Sequence, residues 1–281
     1  MHAGLGGPLR SISSRCLVRH NVHRFETLTA YCTSAATTMA KEFRELKQQA
    51  RKDIKQRLRA LTDEQMADES ARIAAHVLGL RPYTEAKNIG IYLHCAKLRE
   101  VDTTEILKDA MRQGKRCYVP VVDDNNSNMR FLHLDELSSL EKVPPFGILE
   151  PPDTYGNGSP RQDVLQSRTP LDVLLVPGLG FDSSGRSSSA VFTVKLVSYL
   201  SHPLTSVSHT LGRRYYDKMI SQLQRQAIEA CRDPPLFVAL SYAAQLIPAV
   251  PVDEHDQHVD VLVTAGGVAA CTERGTAAVG P

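Results

Sequence analysis

The chain has 281 residues with 33 basic and 31 acidic side chains, 42% hydrophobic and 23% charged residues, ordinary values for a globular protein long enough to bury a substantial core in one large or two small domains. A net charge of +2, with no basic block in the body of the chain, argues against a nucleic-acid or membrane-surface partner. No apolar run reaches the ~20 residues that a bilayer span requires; the nearest, Ala190–Leu200, is short and interrupted by Lys195.

The six cysteines, Cys16, Cys32, Cys95, Cys117, Cys231 and Cys271, are scattered, without a CxxC pair or zinc-finger spacing. That pattern fits reduced thiols better than a disulfide framework. Residues 1–40 are set apart: they carry Arg10, Arg15, Arg19 and Arg24, many Ser, Thr and Ala, no lysine and one acid, Glu26. Arginine-rich, serine-rich and acid-poor is the composition of an organellar transit peptide, with a disordered tail, or an initiator at Met39, as the alternative. The expected address is mitochondrial, a plastid or the cytoplasm being the alternatives.

From Lys41 to Ala60 the sequence favours a helix, with Phe43, Leu46, Ala50, Ile54 and Leu58 in one apolar stripe. Thr62-Asp63-Glu64-Gln65 predicts a capped start for a second helix, running to about Gly79. Strand-like and helical runs then alternate: strand Asn88–Leu93, helix Thr103–Arg112, strand Arg116–Val122, strand Leu171–Val176, helix Tyr215–Cys231, and strands Leu236–Ser241 and Val259–Val263. Short apolar strands separated by helices predict an α/β three-layer sandwich, a mostly parallel central sheet with helices on both faces. The domain is expected over 41–267, with 268–281 as a tail. In such sheets ligands bind beyond the carboxyl ends of the strands. The loops after Leu93 and Val176 and the turn after Val250 are therefore where chemistry is to be sought.

The most suggestive stretch is an apolar strand, then Pro177-Gly-Leu-Gly-Phe-Asp182, Gly185-Arg186, Leu211-Gly212-Arg213, and Tyr215-Tyr216-Asp217 opening a helix. Glycines at 178, 180, 185 and 212 allow backbone amides close to an anion, and a helix start adds a favourable dipole. Arg213 and Arg214 offer charge-assisted donors, and Asp217 an oxygen ligand for a phosphate-bridging magnesium. Read without further context, a turn-rich surface loop with incidental arginines would look the same.

Four ordered segments resemble the 5-formyltetrahydrofolate cyclo-ligase family. They are the helix with Lys47 and Arg51 ahead of Lys55–Leu61; strand Ile89–Leu93 followed by Arg99–Thr103; the PGLGFD and LGR…YYD stretches; and Ala239–Leu246 followed by Pro251–Asp260. The similarity runs from about Lys41 to Gly267. It implies an ATP- and Mg²⁺-dependent enzyme that closes 5-formyltetrahydrofolate to 5,10-methenyltetrahydrofolate, expected to act as a monomer without nucleic-acid or membrane partners. By the same resemblance Lys47, Arg51, Gly212, Arg213, Tyr215 and Tyr216 belong to the nucleotide site, with Arg213 and Tyr215 also at the reacting centre. Cys95, Asp102 and Glu150 (in Gly147–Pro151), with Arg213 and Tyr215, match substrate contacts, and Asp217 and Asp256 match the magnesium carboxylates. A sugar-phosphate isomerase or CoA-transferase of similar sheet architecture would need no ATP.

The pattern breaks in two places. Between Arg186 and Leu211 stands a serine- and valine-rich stretch, Ser187–Thr210, where the family has one or two residues; it reads either as translated intron or as a genuine insertion. The family's Arg-Gly-x-Gly-Tyr-Tyr-Asp is here Arg213-Arg214-Tyr215-Tyr216-Asp217, so both glycines of that turn are gone. Those glycines permit left-handed dihedrals and close phosphate approach. The expectation is a fold that survives and catalysis that is impaired, the alternative function being a folate- or nucleotide-binding relative.

Overall fold

The computed structural model describes residues 41–42, 45–123, 128–143, 147–182, 215–248 and 257–280. The expected leader, the 187–210 interruption, Phe43, Gly212, Arg213 and Asp256 lie outside the described residues. The chain divides into two compact units, Met1–Gln48 and Gln49–Pro281. In the first, the described residues are helical; everything below concerns the second, except where Lys47 is named.

In the second unit, helical backbone over 49–60 (α1) is followed by α2 (Asp63–Leu78) and α3 (Arg81–Glu85). The predicted cap is present at α2, where Thr62 accepts from the Gln65 amide and the Gln65 side chain accepts from the Thr62 amide. Next come β1 (Asn88–Gly90), α4 (Thr104–Arg112), β2 (Arg116–Val122), β3 (Met129–Leu134), β4 (Glu141–Val143) and β5 (Ile148–Glu150). The chain continues through α5 (Val164–Ser167), β6 (Val173–Pro177), β7 (Phe181–Asp182), α6 (Tyr215–Glu229), β8 (Leu236–Leu240), β9 (Leu246–Ile247), β10 (Val261–Thr264), β11 (Gly267–Ala270) and α7 (Glu273–Val279).

Seven strands form the main sheet in the order β11-β10-β8-β6-β1-β2-β3. From β10 to β2 every neighbour is parallel, and only the edge pairs β10/β11 and β2/β3 are antiparallel. The mostly parallel sheet is thus as expected. Alternate residues of each strand enter different cores, which is why the strands read as continuous apolar runs. Val173, Leu175, Val238, Val261 and Val263 pack with Ile54, Ile73, Val77 and Ile106 of α1, α2 and α4. Leu174, Val176, Phe237, Ala239 and Leu262 pack with Val164, Met219, Ile220 and Leu223 of α5 and α6. These are the two helical layers of the sandwich.

Several boundaries differ from those expected. The strand expected over Asn88–Leu93 keeps ladder pairing only to Gly90, after which the chain leaves the sheet towards α4. The apolar stripe expected over 41–60 is only partly core: Ile54 and Leu58 of α1 are buried. The stretch from 268, expected as a tail, carries most of β11, which begins at Gly267, and all of α7. Its attachment is a polar knot. Thr272 caps α7, accepting from the Gly275 amide at 3.0 Å, and donates to Asp260 Oδ1 at 2.7 Å. Asp260 Oδ2 accepts from the Phe237 amide at 3.0 Å.

The helix comes so close to the sheet at this knot that a Cβ on Gly275 would lie 1.9 Å from the Asp260 carbonyl oxygen. A backbone clash cannot be relieved by a rotamer change. Gly275→Ala is expected to cost about 3 kcal/mol, the upper end of overpacking penalties, measured as a lowered urea midpoint. Unchanged stability would mean that α7 is not seated against β10.

Candidate active site

Parallel strands bring their carboxyl ends to one edge, and the loops there are tied to each other by side chains buried beneath them. Gln245, 1% exposed, donates to the carbonyls of Gly178 and Leu179 after β6 and accepts from the Tyr242 amide at 2.8 Å after β8. Gly180 lies against α1: a Cβ there would come within 2.3 Å of Ile54 Cδ1, so the Ile54 side chain would have to shift. The Tyr242 hydroxyl donates to the Glu100 carbonyl at 3.0 Å and shares a 2.9 Å bond with Ser70 Oγ of α2. Ser70 Oγ in turn accepts from the Asp102 amide at 3.1 Å. Arg99, in the left-handed region at φ 56°, donates to the Leu58 and Leu61 carbonyls at the end of α1.

This clamping fixes the loop after β1, which carries Cys95 and Asp102. Cys95 is buried, and its amide donates to Glu100 Oε2 at 2.7 Å. Asp102 Oδ1 accepts from the Thr104 amide at 2.8 Å and lies 3.0 Å from His94 Nδ1. The His94 hydrogen bond holds the Asp102 carboxyl well below the usual carboxylate range, and the same contact raises His94 above its ordinary value. Removal from water pushes the Glu100 carboxyl up to about 7, opposed by the Cys95 amide and His94.

Glu150 ends β5 beside the carboxyl end of β2. Burial raises its carboxyl, while a hydrogen bond from Val122 opposes the shift. Across the edge, Tyr215, Tyr216 and Asp217 form the first turn of α6. Tyr215 and Asp217 are buried, and Tyr216 sits edge-on to Phe131. Tyr216 is raised well above its ordinary value by burial and by the charge of Glu100, which brings the start of α6 within electrostatic reach of the loop after β1. Asp217 Oδ1 accepts from the Gln257 amide at 3.2 Å, so the residue next to Asp256 is in contact with Asp217. Among the described residues no group of three His, Cys, Asp or Glu could hold a metal.

Of the basic pair, Arg51 is half-buried on α1, whereas Lys47, itself buried, belongs to the other compact unit. Arg51, Lys55 and Arg59 follow one helical face, and burial, then Arg51 and Arg59, lower the Lys55 ammonium. His94, Glu100, Ser70, Tyr242 and Gln245 stand at this edge without a motif that marks them in the sequence. Glu100 lies within Arg99–Thr103, and Tyr242 and Gln245 within Ala239–Leu246; an acid flanked by Arg99 and Val101 in a loop beyond a strand is the available signal.

An α/β sheet with titratable groups gathered at its carboxyl edge is the architecture of a small-molecule enzyme. Residues 44–187 and 210–265 match the model of the 5-formyltetrahydrofolate cyclo-ligase family, and the chain belongs to that family of ligases. It is 32% identical over 237 residues to the mitochondrial 5-formyltetrahydrofolate cyclo-ligase of Arabidopsis thaliana, covering 82% of this chain and 78% of that one. It is 31% identical over 214 residues to the enzyme of that name from Mus musculus, covering 75% and 89%. The fold is that of the NMR structure of Aquifex aeolicus 5,10-methenyltetrahydrofolate synthetase, with a TM-score of 0.58 at 22% identity over 81% of this chain and 94% of that one.

Because the folded Glu100 carboxyl titrates near 7 against an ordinary 4.5, its protonated form stabilises the fold. That contribution is complete below about pH 4.5 and is lost as pH rises to about 7. Glu100→Gln should remove this part of the pH dependence, flattening stability by about 1–3 kcal/mol between those limits. Parallel wild-type and variant curves from urea unfolding at several pH values would contradict the assignment.

Proposed function

We propose that the chain is of the type that converts 5-formyltetrahydrofolate and ATP to 5,10-methenyltetrahydrofolate, ADP and phosphate. The observation that carries this reading is the junction at the carboxyl edge. The Gln257 amide on Asp217 joins the start of α6 to the segment bearing Asp256, across from the loop bearing Asp102, in a chain of this family. In the reaction the γ-phosphoryl group passes to the formyl oxygen and ADP leaves. The N10 lone pair then attacks the formyl carbon, N10 gives up its proton, and phosphate departs as the ring closes. No protein nucleophile is needed. The chain's part is to align two substrates and to neutralise charge.

Asp102, Glu150 and Cys95 would face the folate. Arg51 and Lys47, with Gly212, Arg213, Tyr215 and Tyr216, would face the nucleotide, with Arg213 and Tyr215 reaching both. A buried carboxylate at Asp217, beside the segment of a second acid, suits Mg²⁺, which takes one or two carboxylates and keeps phosphate oxygens and water as its remaining ligands. Asp217 and Asp256 would hold it, and the ion would neutralise phosphate charge. Residues 1–40 are proposed as a mitochondrial leader, supported by their arginine-rich, acid-poor composition and by the mitochondrial relative from Arabidopsis thaliana.

The second reading, an impaired relative, is favoured by the family match itself, which leaves out residues 188–209, and by the missing glycines before Tyr215. Misplacing a reacting group by about 1 Å costs on the order of 100-fold. ATP-dependent formation of the methenyl product, followed by its absorbance, is expected to be very low for the chain as written. Deleting Ser187–Thr210 and restoring Arg-Leu-Gly-Arg-Gly-Gly-Gly-Tyr-Tyr-Asp should raise it by about 100-fold or more. In the repaired chain Asp217→Ala and Asp256→Ala should each abolish it. A repaired chain without turnover would overturn the proposed reaction, and equal rates before and after repair would overturn the account of the loop.

A further inference from the structure

The least explained group at the carboxyl edge is His94. It follows Leu93 on the way out of β1, and its Nδ1 lies 3.0 Å from Asp102 Oδ1, with the two side chains 32% and 49% exposed. An ion pair this open to water contributes at most about 1 kcal/mol to folding, so stability does not account for it. Its geometric effect is larger. The Thr104 amide, at 2.8 Å, grips the same oxygen, Oδ1. One donor alone leaves a carboxylate free to pivot about the gripped atom, whereas a second partner from a different direction fixes its plane. The Thr104 amide and His94 both meet Oδ1, and the Thr104 side chain is a further hydrogen-bond partner of the same carboxyl. The backbone beneath is fixed as well, through the Asp102 amide on Ser70 and Thr103 Oγ1 on the Tyr92 carbonyl at 2.6 Å. Asp102 is therefore an oriented, half-exposed carboxylate whose Oδ1 carries both of its short contacts.

We propose that His94 is a positioning residue for the substrate: it holds Asp102 Oδ1 so that Oδ2 is presented to the N–H donors of the folate ring. The inference rests on the folate reading of this site and adds to it a residue that touches substrate only through Asp102. A carboxylate oxygen is an acceptor with no donor of its own, so it selects the part of the ligand that carries N–H groups. His94 also offsets the charge of Asp102, so that the pair presents an acceptor without net charge to a neutral ring. Glu100 on the same loop faces His94 and favours its charged form.

The test uses the full chain and titrates 5-formyltetrahydrofolate alone by calorimetry, with no turnover required. His94→Ala should bind about tenfold more weakly, the cost of one charge-assisted contact, while its urea midpoint stays near that of the wild type. His94→Asn carries an amide nitrogen where Nδ1 stood and should recover most of the affinity. In NMR titrations His94 should titrate above its ordinary value and fall back in Asp102→Asn. Wild-type affinity in His94→Ala, or a His94 that titrates at its ordinary value, would overturn the inference while leaving the folate reading intact. A wild-type chain that does not bind 5-formyltetrahydrofolate would overturn both.

Discussion

A parallel sheet covered on both faces has no free surface except at the ends of its strands, and the function of this molecule follows from that constraint. Five parallel strands, from β10 to β2, bury alternate side chains in two separate cores. The helical layers that supply those cores occupy both faces. What remains open at the carboxyl end is a row of loops, and the chain uses them to collect Asp102, Glu150 and the Tyr215–Asp217 turn from distant parts of the sequence.

Loops make a site only when they are held still. Here the holding is done by polar side chains below the edge rather than by the residues that would meet a ligand. Gln245 joins the loops after β6 and β8, and Tyr242 joins the loop after β8 to α2 and to the loop after β1. A missing partner in such a buried network leaves an unsatisfied group, at about 1–3 kcal/mol each. On the same loop, burial pushes the Glu100 carboxyl up to about 7, while Asp102, two residues on and paired with His94, is held well below the usual carboxylate range.

The fold was largely legible because its strands have the continuous apolar character that burial on both faces demands. Arg116–Val122 is a strand with the boundaries read from sequence, and the Thr62 cap marks the start of α2. β3 is not marked in the sequence because Arg130 and His133 interrupt Met129–Leu134, which follows the polar run Asp123–Asn128 and lacks the apolar run of the central strands. The final strand and helix were missed for another reason. Ala- and Gly-rich text carries little periodicity, and what seats it is the tertiary knot of Thr272, Asp260 and Gly275. Of the residues proposed for the site, Asp102, Glu150 and Asp217 are legible from motifs. Ser70, Tyr242 and Gln245 could not, since their partners are up to 172 residues away in sequence and the pairing exists only once the sheet is formed.

The central claim is that substrates bind at the carboxyl edge, across the loops that Gln245 and Tyr242 hold together. Amide hydrogen exchange with 5-formyltetrahydrofolate and MgATP, against the free chain, tests it most directly. The account predicts added protection in residues 91–103, 178–182, 215–217 and 241–247, with the opposite edge unchanged. Protection confined to the amino ends of the strands, around Lys87 and Lys115, would contradict it.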